Sequence, residues 1–327
     1  AGLVAQTPEY QGADSVLTVV REAGQPAAPV LSIRDWHIRR THIIENMQKV
    51  MGPMPGADKQ VPLDVRYDGE TDRGAYVEHR LTYATEAWDR TPALLLVPKN
   101  LDGKAPAVMA LHQTWNEGKA IVADTNGPLP NLEYGRELAE RGYVVLAPDY
   151  PGFGDYVACR KGLYEHGYVS CTMKGIWNHM RGVDLLQSLD YVDPGRIGAI
   201  GHSLGGHNTL FLAAFDDRIQ VAVTSCGFNR FADYYEGDIT GWSHDGYMPR
   251  IAEVYEKDPA KMPFDFPEIL AALAPRAVFV NAPLGDANFA VVGVHAAVRL
   301  AQPAFTLTAA TPGLVAVHPN AEHDFPT

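Results

Sequence analysis

Four unbroken apolar runs constrain this chain most: Ala107-Val108-Met109-Ala110-Leu111, Tyr143-Val144-Val145-Leu146-Ala147, Ile197-Gly198-Ala199-Ile200 and Ala277-Val278-Phe279-Val280. A strand with one wet face alternates apolar and polar side chains, so a short unbroken run marks a strand buried on both faces, as in a parallel sheet. Helical patterns over 131–141, 176–189 and 204–215 lie between the runs, and 288–300 reads as another helix. This alternation predicts the α/β class: a doubly wound, mostly parallel sheet with helices on both faces. In such folds ligands bind at the carboxyl ends of the strands.

The first third reads differently. Residues 1–34 are rich in Pro, Gly and Ala and suggest a surface lead-in. A helix is predicted over 34–51, with Ile38, Ile43, Ile44, Met47 and Val50 on one side and a stop at Met51-Gly52-Pro53. Short strands are predicted at 61–67, 76–83 and 92–97, with turns at Asp68-Gly69 and Thr71-Asp72-Arg73-Gly74. We therefore expect residues 1–89 to form a lead-in, helix and first strands packed on the core, and residues 90–327 to form the main domain. Within it, 229–268 breaks the alternation, carries Trp242 and several other aromatics, and reads as an insertion over the strand ends.

Composition removes several classes of function. With 27 Lys and Arg against 39 Asp and Glu, the net charge is −12 and the basic footprint of a nucleic-acid binder is missing. Three cysteines, Cys159, Cys171 and Cys226, cannot all pair, and no C-x-x-C or H-E-x-x-H string signals a metal site. The longest uncharged stretch, 300–321, contains Pro303, Pro312 and Pro319 and lacks the apolarity of a membrane span. The sequence starts at Ala1 and its first basic residue is Arg21, so no positive leader region is visible. A cytoplasmic place and secretion after signal removal both stay open, as does oligomeric state, a homo-oligomer included.

The strongest chemical signal is Gly201-His202-Ser203-Leu204-Gly205, a G-x-S-x-G string between an apolar strand and a predicted helix. That context is what a nucleophile elbow requires. A serine on so sharp a turn crowds the residues two before and two after it, and glycine at both places removes the clash. The helix N-terminus then aims free N–H groups where negative charge will develop.

On these residues the chain resembles the α/β-hydrolase superfamily over about residues 90–325, and within it the serine esterases of the acetyl xylan esterase and dienelactone hydrolase type. Supporting strings, in the expected order, are Leu111-His112-Gln113-Thr114, Ala147-Pro148-Asp149-Tyr150-Pro151-Gly152-Phe153-Gly154, Val192-Asp193-Pro194-Gly195-Arg196-Ile197 and His323-Asp324-Phe325-Pro326. Dienelactone hydrolases proper carry cysteine at the elbow, where this chain has Ser203. The fold's order is nucleophile, acid, histidine. Asp286 is the sole carboxylate between Arg276 and His318, which selects it as the acid. His244, His295, His318 and His323 follow the serine. The resemblance favours His323 as the base, with His318 second. The oxyanion hole needs two backbone N–H groups. Leu204 should supply one and Thr114 the other, with Gln113 second, at a place where the superfamily often has His-Gly-x. His112, His202, Asp149 and Asp155 read as structural residues. Tyr150, Phe153, Trp115, Trp242 and Tyr247 are candidates for pocket walls.

The activity so implied is a serine carboxylesterase acting on small-molecule esters, with acetylated sugars suggested by the resemblance and no metal or organic cofactor required. A peptidase or amidase of the same fold is the neighbouring reading, although prolyl-oligopeptidase-type peptidases usually carry a propeller that some 100 preceding residues cannot form. An inactive hydrolase fold used for binding is the third. The resemblance also implies a helix after the histidine loop, whereas this sequence stops at Thr327. On that ground we expect an exposed sheet face and a mobile His323.

Overall fold

The computed structural model of the protein describes residues 7–10, 15–123 and 130–326. Its strands β1 (Arg66–Asp72), β2 (Tyr76–Glu86), β3 (Asp89–Pro98), β4 (Ala105–Leu111), β5 (Val144–Pro148), β6 (Val192–His202), β7 (Ile219–Ser225), β8 (Ala277–Asn281) and β9 (Leu314–Val317) form one sheet. Its order is β9-β8-β7-β6-β4-β5-β3-β2-β1. Strands β4 to β9 pair in parallel, β3 joins β5 antiparallel, and β1 to β3 form an antiparallel meander. This is the doubly wound α/β-hydrolase arrangement expected from the sequence.

Alternate residues of the apolar runs serve two separate cores. Leu95, Met109 and Leu146 face the larger core, whereas their neighbours Leu94, Ala110 and Val145 face the smaller. In β4 and β5 a polar residue at either parity would be stranded without water, which is why those runs are unbroken. The main helices are α1 (Ile33–Met51), α2 (Tyr134–Glu140), α3 (Cys171–Ser188), α4 (Leu204–Phe215), α5 (Phe266–Ala272) and α6 (Val291–Leu307).

Helix α1 starts where the Ser32 hydroxyl accepts from Asp35 N at 3.1 Å, and ends at Gly52 with φ 94°, whose N–H reaches Gln48 O at 2.9 Å. Its buried stripe is Trp36, Arg39, Ile43, Met47 and Val50, with Ile38 and Ile44 only half-buried. The departure from the apolar pattern is Arg39, which is fully buried and ion-paired to Glu268 on α5. Burying either charge alone would cost several kcal/mol, so the pair ties the first helix to the core.

Other boundaries moved for local reasons. The predicted strand at 61–67 lies at 66–72 and is exposed throughout, so its pairing with β2, not an apolar face, sets its register. Asp68-Gly69 is a bulge inside that strand, with Gly69 at φ 140°, rather than a turn. Helix α6 begins later than expected and runs through Pro303 to Leu307. On the sheet, Val221, Val315 and Val317 are exposed, and an open groove of about 460 Å³ includes Val108, Leu138, Tyr143, Ile200, Val221 and Val223. No helix of the described residues is long and apolar enough to cross a membrane.

Among the buried histidines, His179, His202 and His207 are each pulled down by burial to about 3. They are neutral when folded and take protons near their ordinary 6.5 only on unfolding. Their stabilisation is complete above 6.5 and is lost as pH falls towards the folded value. The expected loss is up to about 1.4 kcal/mol per pH unit for each histidine. Urea unfolding at pH 7, 5.5 and 4.5 should show it, and a flat profile would contradict it.

Candidate active site

Chain order along the sheet reverses around β4, which pairs with β5 on one side and β6 on the other. Leu111 at the end of β4 lies opposite Gly201 of β6, and Ser225 at the end of β7 lies opposite both His202 and Asn281. The carboxyl ends of these strands thus converge at a topological switch point.

Ser203 occupies the single residue between β6 and α4, with φ 53° and ψ −118°. A side chain rarely takes that conformation, and its persistence marks strain held by the surroundings. The Ser203 N–H donates to Ser225 O at 2.8 Å, and the Ser203 carbonyl accepts from Gly206 N at 2.9 Å and His207 N at 3.2 Å. A Cβ on Gly201 would lie 2.2 Å from Gly205 O, and one on Gly205 only 1.9 Å from Leu111 O. Both obstacles are backbone and cannot swing aside. Gly205→Ala should therefore cost about 3 kcal/mol or more, because the clash forces β4 and α4 apart. A variant melting within 2 °C of the parent protein would refute this steric account.

On the other side, Asp286 is buried in the loop after β8. Its Oδ1 accepts from Asn288 N at 2.8 Å and Phe289 N at 3.0 Å, and lies 3.0 Å from His323 Nδ1. Burial alone would raise this carboxyl. The His323 bond and charge, with the two N–H donors, outweigh it and hold the group below its ordinary value. His323 is partly exposed, and its ring lies 4.7 Å from that of His202. Its loop is pinned where Asn281 Nδ2 donates to Asp324 O at 3.1 Å and the Cys226 thiol to the same oxygen at 3.3 Å. His318 turns elsewhere: its Nδ1 lies 2.9 Å from Ala282 O and its ring 4.1 Å from that of His295. Of the two histidines left open by the sequence, His323 is the one brought to Asp286.

After β4, the His112 ring is buried and neutral. Its Nδ1 lies 2.7 Å from Gln113 O, while its Nε2 accepts from Tyr150 N at 3.0 Å. The Gln113 carbonyl and Thr114 N–H share one planar peptide and point opposite ways, so the ring sets the direction of the Thr114 N–H. Thr114 Oγ1 lies 3.1 Å from Tyr247 Oη. Lys119 binds Asp149 at 2.6 Å and Asp155 at 2.7 Å, which ties the loops after β4 and β5 together. Leu204 opens α4, where the first N–H groups of a helix lack intrahelical acceptors.

Residues 229–268 form short helical turns around an aromatic core. Trp242 is buried in it, 4.6 Å from the His207 ring of α4 and 5.5 Å from Phe266. Tyr150 is core, Phe153 and Tyr247 are half-buried, and Trp115 is exposed. Sequence reasoning missed Tyr134, whose hydroxyl donates to Leu111 O at 2.5 Å and accepts from His202 N at 3.3 Å. It also assigned no place to Cys226, which follows β7 at φ 46°. His202, Cys226 and His323 each offer a ligand atom within 4.8 Å of the others, a set no sequence motif marks because it comes from three separate segments.

The pattern of the prolyl oligopeptidase family matches residues 135–301. YtaP of Bacillus subtilis (strain 168), a protein named as a hydrolase, is 32% identical over 189 residues, which cover 54% of this chain. The match spans 61% of that relative's length. Among solved structures, a glucuronoyl esterase from Solibacter usitatus is similar with TM-score 0.73 and 18% identity, covering 98% of this chain and 95% of that one. Acetyl xylan esterase 1 from Thermoanaerobacterium sp. JW/SL YS485 is similar with TM-score 0.55 and 17% identity, covering 87% of this chain and 94% of its own. At such identities the likeness speaks to the fold.

Proposed function

The chain belongs to the prolyl oligopeptidase family, and on that premise we propose that this serine hydrolase is a carboxylesterase acting on small esters, acetylated sugars among them, through Ser203, His323 and Asp286. The observation that carries the reading is the strained serine between β6 and α4, together with a buried carboxylate 3.0 Å from His323 Nδ1.

Ser203 Oγ attacks the ester carbonyl carbon while His323 Nε2 takes its proton. A serine is a weak nucleophile at neutral pH and needs this base. Asp286 holds the proton on Nδ1 and so keeps Nε2 free as acceptor, then stabilises the imidazolium. The developing oxyanion is received by the Leu204 and Thr114 N–H groups, with Gln113 N–H as the second candidate on the β4 side. Collapse expels the alcohol, which takes the proton from His323. Water, deprotonated by the same histidine, then releases the acid and restores Ser203.

The esterase names of the similar solved structures support ester over amide, whereas the family name favours a peptidase. Hydrolysis of p-nitrophenyl acetate and butyrate, set against peptide p-nitroanilides, separates the two. Turnover of the esters with negligible anilide cleavage is expected, and acetate release from acetylated xylo-oligosaccharides would extend it to sugars. Faster anilide cleavage would establish the peptidase. No turnover of any of them would leave the fold as a binding protein.

A further inference from the structure

We propose that Tyr134 is a positioning residue: its buried hydroxyl braces the end of β4 against the end of β6 and so sets the gap between the two sides of the oxyanion hole. The effect on turnover rests on the esterase reading given above, whereas the brace itself does not.

The two N–H groups assigned to the oxyanion come from different strands, Thr114 from the loop after β4 and Leu204 from the helix after β6. They can share one oxygen only if the strand ends keep a fixed spacing, since each donor must lie about 2.7–3.1 Å from it. The last paired residues of β4 and β6 are Leu111 and Gly201. Beyond them one chain leads to Thr114 and the other to Ser203. Tyr134, the first residue of α2, stands at this point. Its hydroxyl donates to Leu111 O at 2.5 Å and accepts from His202 N at 3.3 Å. A phenol has one hydrogen and two lone pairs, so it can serve both strands at once. Burial raises this phenol above its ordinary 10, so the hydrogen it donates stays in place at neutral pH.

The carbonyl that Tyr134 holds is also the one against which the elbow helix is seated, because a Cβ on Gly205 would lie 1.9 Å from Leu111 O. A shift of Leu111 is therefore felt on both sides of the hole. The histidine loop meets the same place. The Tyr134 ring is buried 5.9 Å from that of Phe325, two residues after His323. In the turn before α2, Asn131 Nδ2 donates to Asp324 Oδ2 at 2.6 Å. Tyr76 supplies the control. It is buried in the same smaller core as Tyr134, and its hydroxyl has no hydrogen-bond partner among the described residues.

Tyr134→Phe keeps the ring and its contact with Phe325 and removes the hydroxyl alone. With p-nitrophenyl acetate, kcat is expected to fall at least ~10-fold while KM stays near that of the parent protein, because misplaced oxyanion donors weaken the transition state more than the bound ester. Fluorophosphonate labelling of Ser203 should slow in step, since the phosphonyl oxygen uses the same hole. Tyr76→Phe should leave both rates unchanged. A thermal melt of each variant fixes an assay temperature at which all are folded, so lost stability alone cannot lower kcat. Hydrogen exchange read by mass spectrometry tests the brace without any substrate: segments 111–116 and 202–206 should exchange faster in Tyr134→Phe and not in Tyr76→Phe. A kcat for Tyr134→Phe within about twofold of the parent protein, or an equal loss in Tyr76→Phe, would overturn the positioning role. Unchanged exchange in both segments would overturn the brace. Faster exchange in a chain whose parent form turns over no ester and takes no label at Ser203 would sustain the brace and sink the esterase reading instead.

Discussion

Ser203→Ala is expected to lower kcat for p-nitrophenyl acetate by between about 10⁴- and 10⁶-fold while KM stays near that of the parent protein. The size follows from the role. Without the hydroxyl there is no acyl-enzyme, and what survives is the help that positioned N–H groups give to direct attack by water. The fold should be unaffected, because alanine keeps the same Cβ at φ 53° and ψ −118° and the Ser203 N–H still reaches Ser225 O. Ser203→Gly makes the complementary test. It removes the nucleophile equally but also relieves the backbone, so it should be inactive and up to about 1 kcal/mol more stable than Ser203→Ala. A fluorophosphonate should label the parent protein at Ser203, located by mass spectrometry, and neither variant. Retention of more than a tenth of the activity in Ser203→Ala would remove the serine from the mechanism.

Asp286→Asn should cost up to about 10⁴-fold in kcat, through loss of the carboxylate charge that stabilises the imidazolium. The Oδ1 of Asp286 accepts from Asn288 N, from Phe289 N and from His323 Nδ1. An asparagine oxygen in the Oδ1 place can keep all three donors, but it carries no full negative charge. The imidazolium formed when His323 takes the proton of Ser203 then faces a neutral amide instead of a carboxylate. Binding of substrate should change little, so the loss falls on kcat. The same substitution has a signature in stability. The Asp286 carboxyl lies below its ordinary 3.8 in the folded protein, so its contribution is present above 3.8 and is lost as pH falls through the folded value. Urea unfolding should find the parent protein ahead of Asp286→Asn at pH 5, with the gap shrinking by pH 3. Activity within tenfold of the parent protein would send the search for the acid elsewhere.

Much of this could be read along the chain, where local physics was sufficient. The β4 and β5 runs announce themselves because burial on both faces leaves no polar parity, and the β6 and β8 runs stay apolar although one parity is only half-buried. Helix α4 begins and ends where its pattern does, at Leu204 and Phe215. The glycines at 201 and 205 mark a backbone crossing that admits no Cβ, and a chain of this fold offers one carboxylate between Arg276 and His318.

What the tertiary structure alone decided are the meetings of distant segments. The resemblance puts His323 before His318, but only the path of the loop after β9 turns one to Asp286 and the other to Ala282. Tyr134 bridges β4 and β6 from a helix 23 residues beyond Leu111, and a tyrosine in a helix carries no local sign of that bond. Arg39 lies on the buried stripe of α1 because Glu268, 229 residues later, neutralises it. Cys226 stands beside two histidines drawn from other elements. Periodicity and turn chemistry record a residue's relation to its near neighbours, so they determine strands, helices and the elbow. Contacts across the sheet depend on strand order and loop path, which no local pattern encodes.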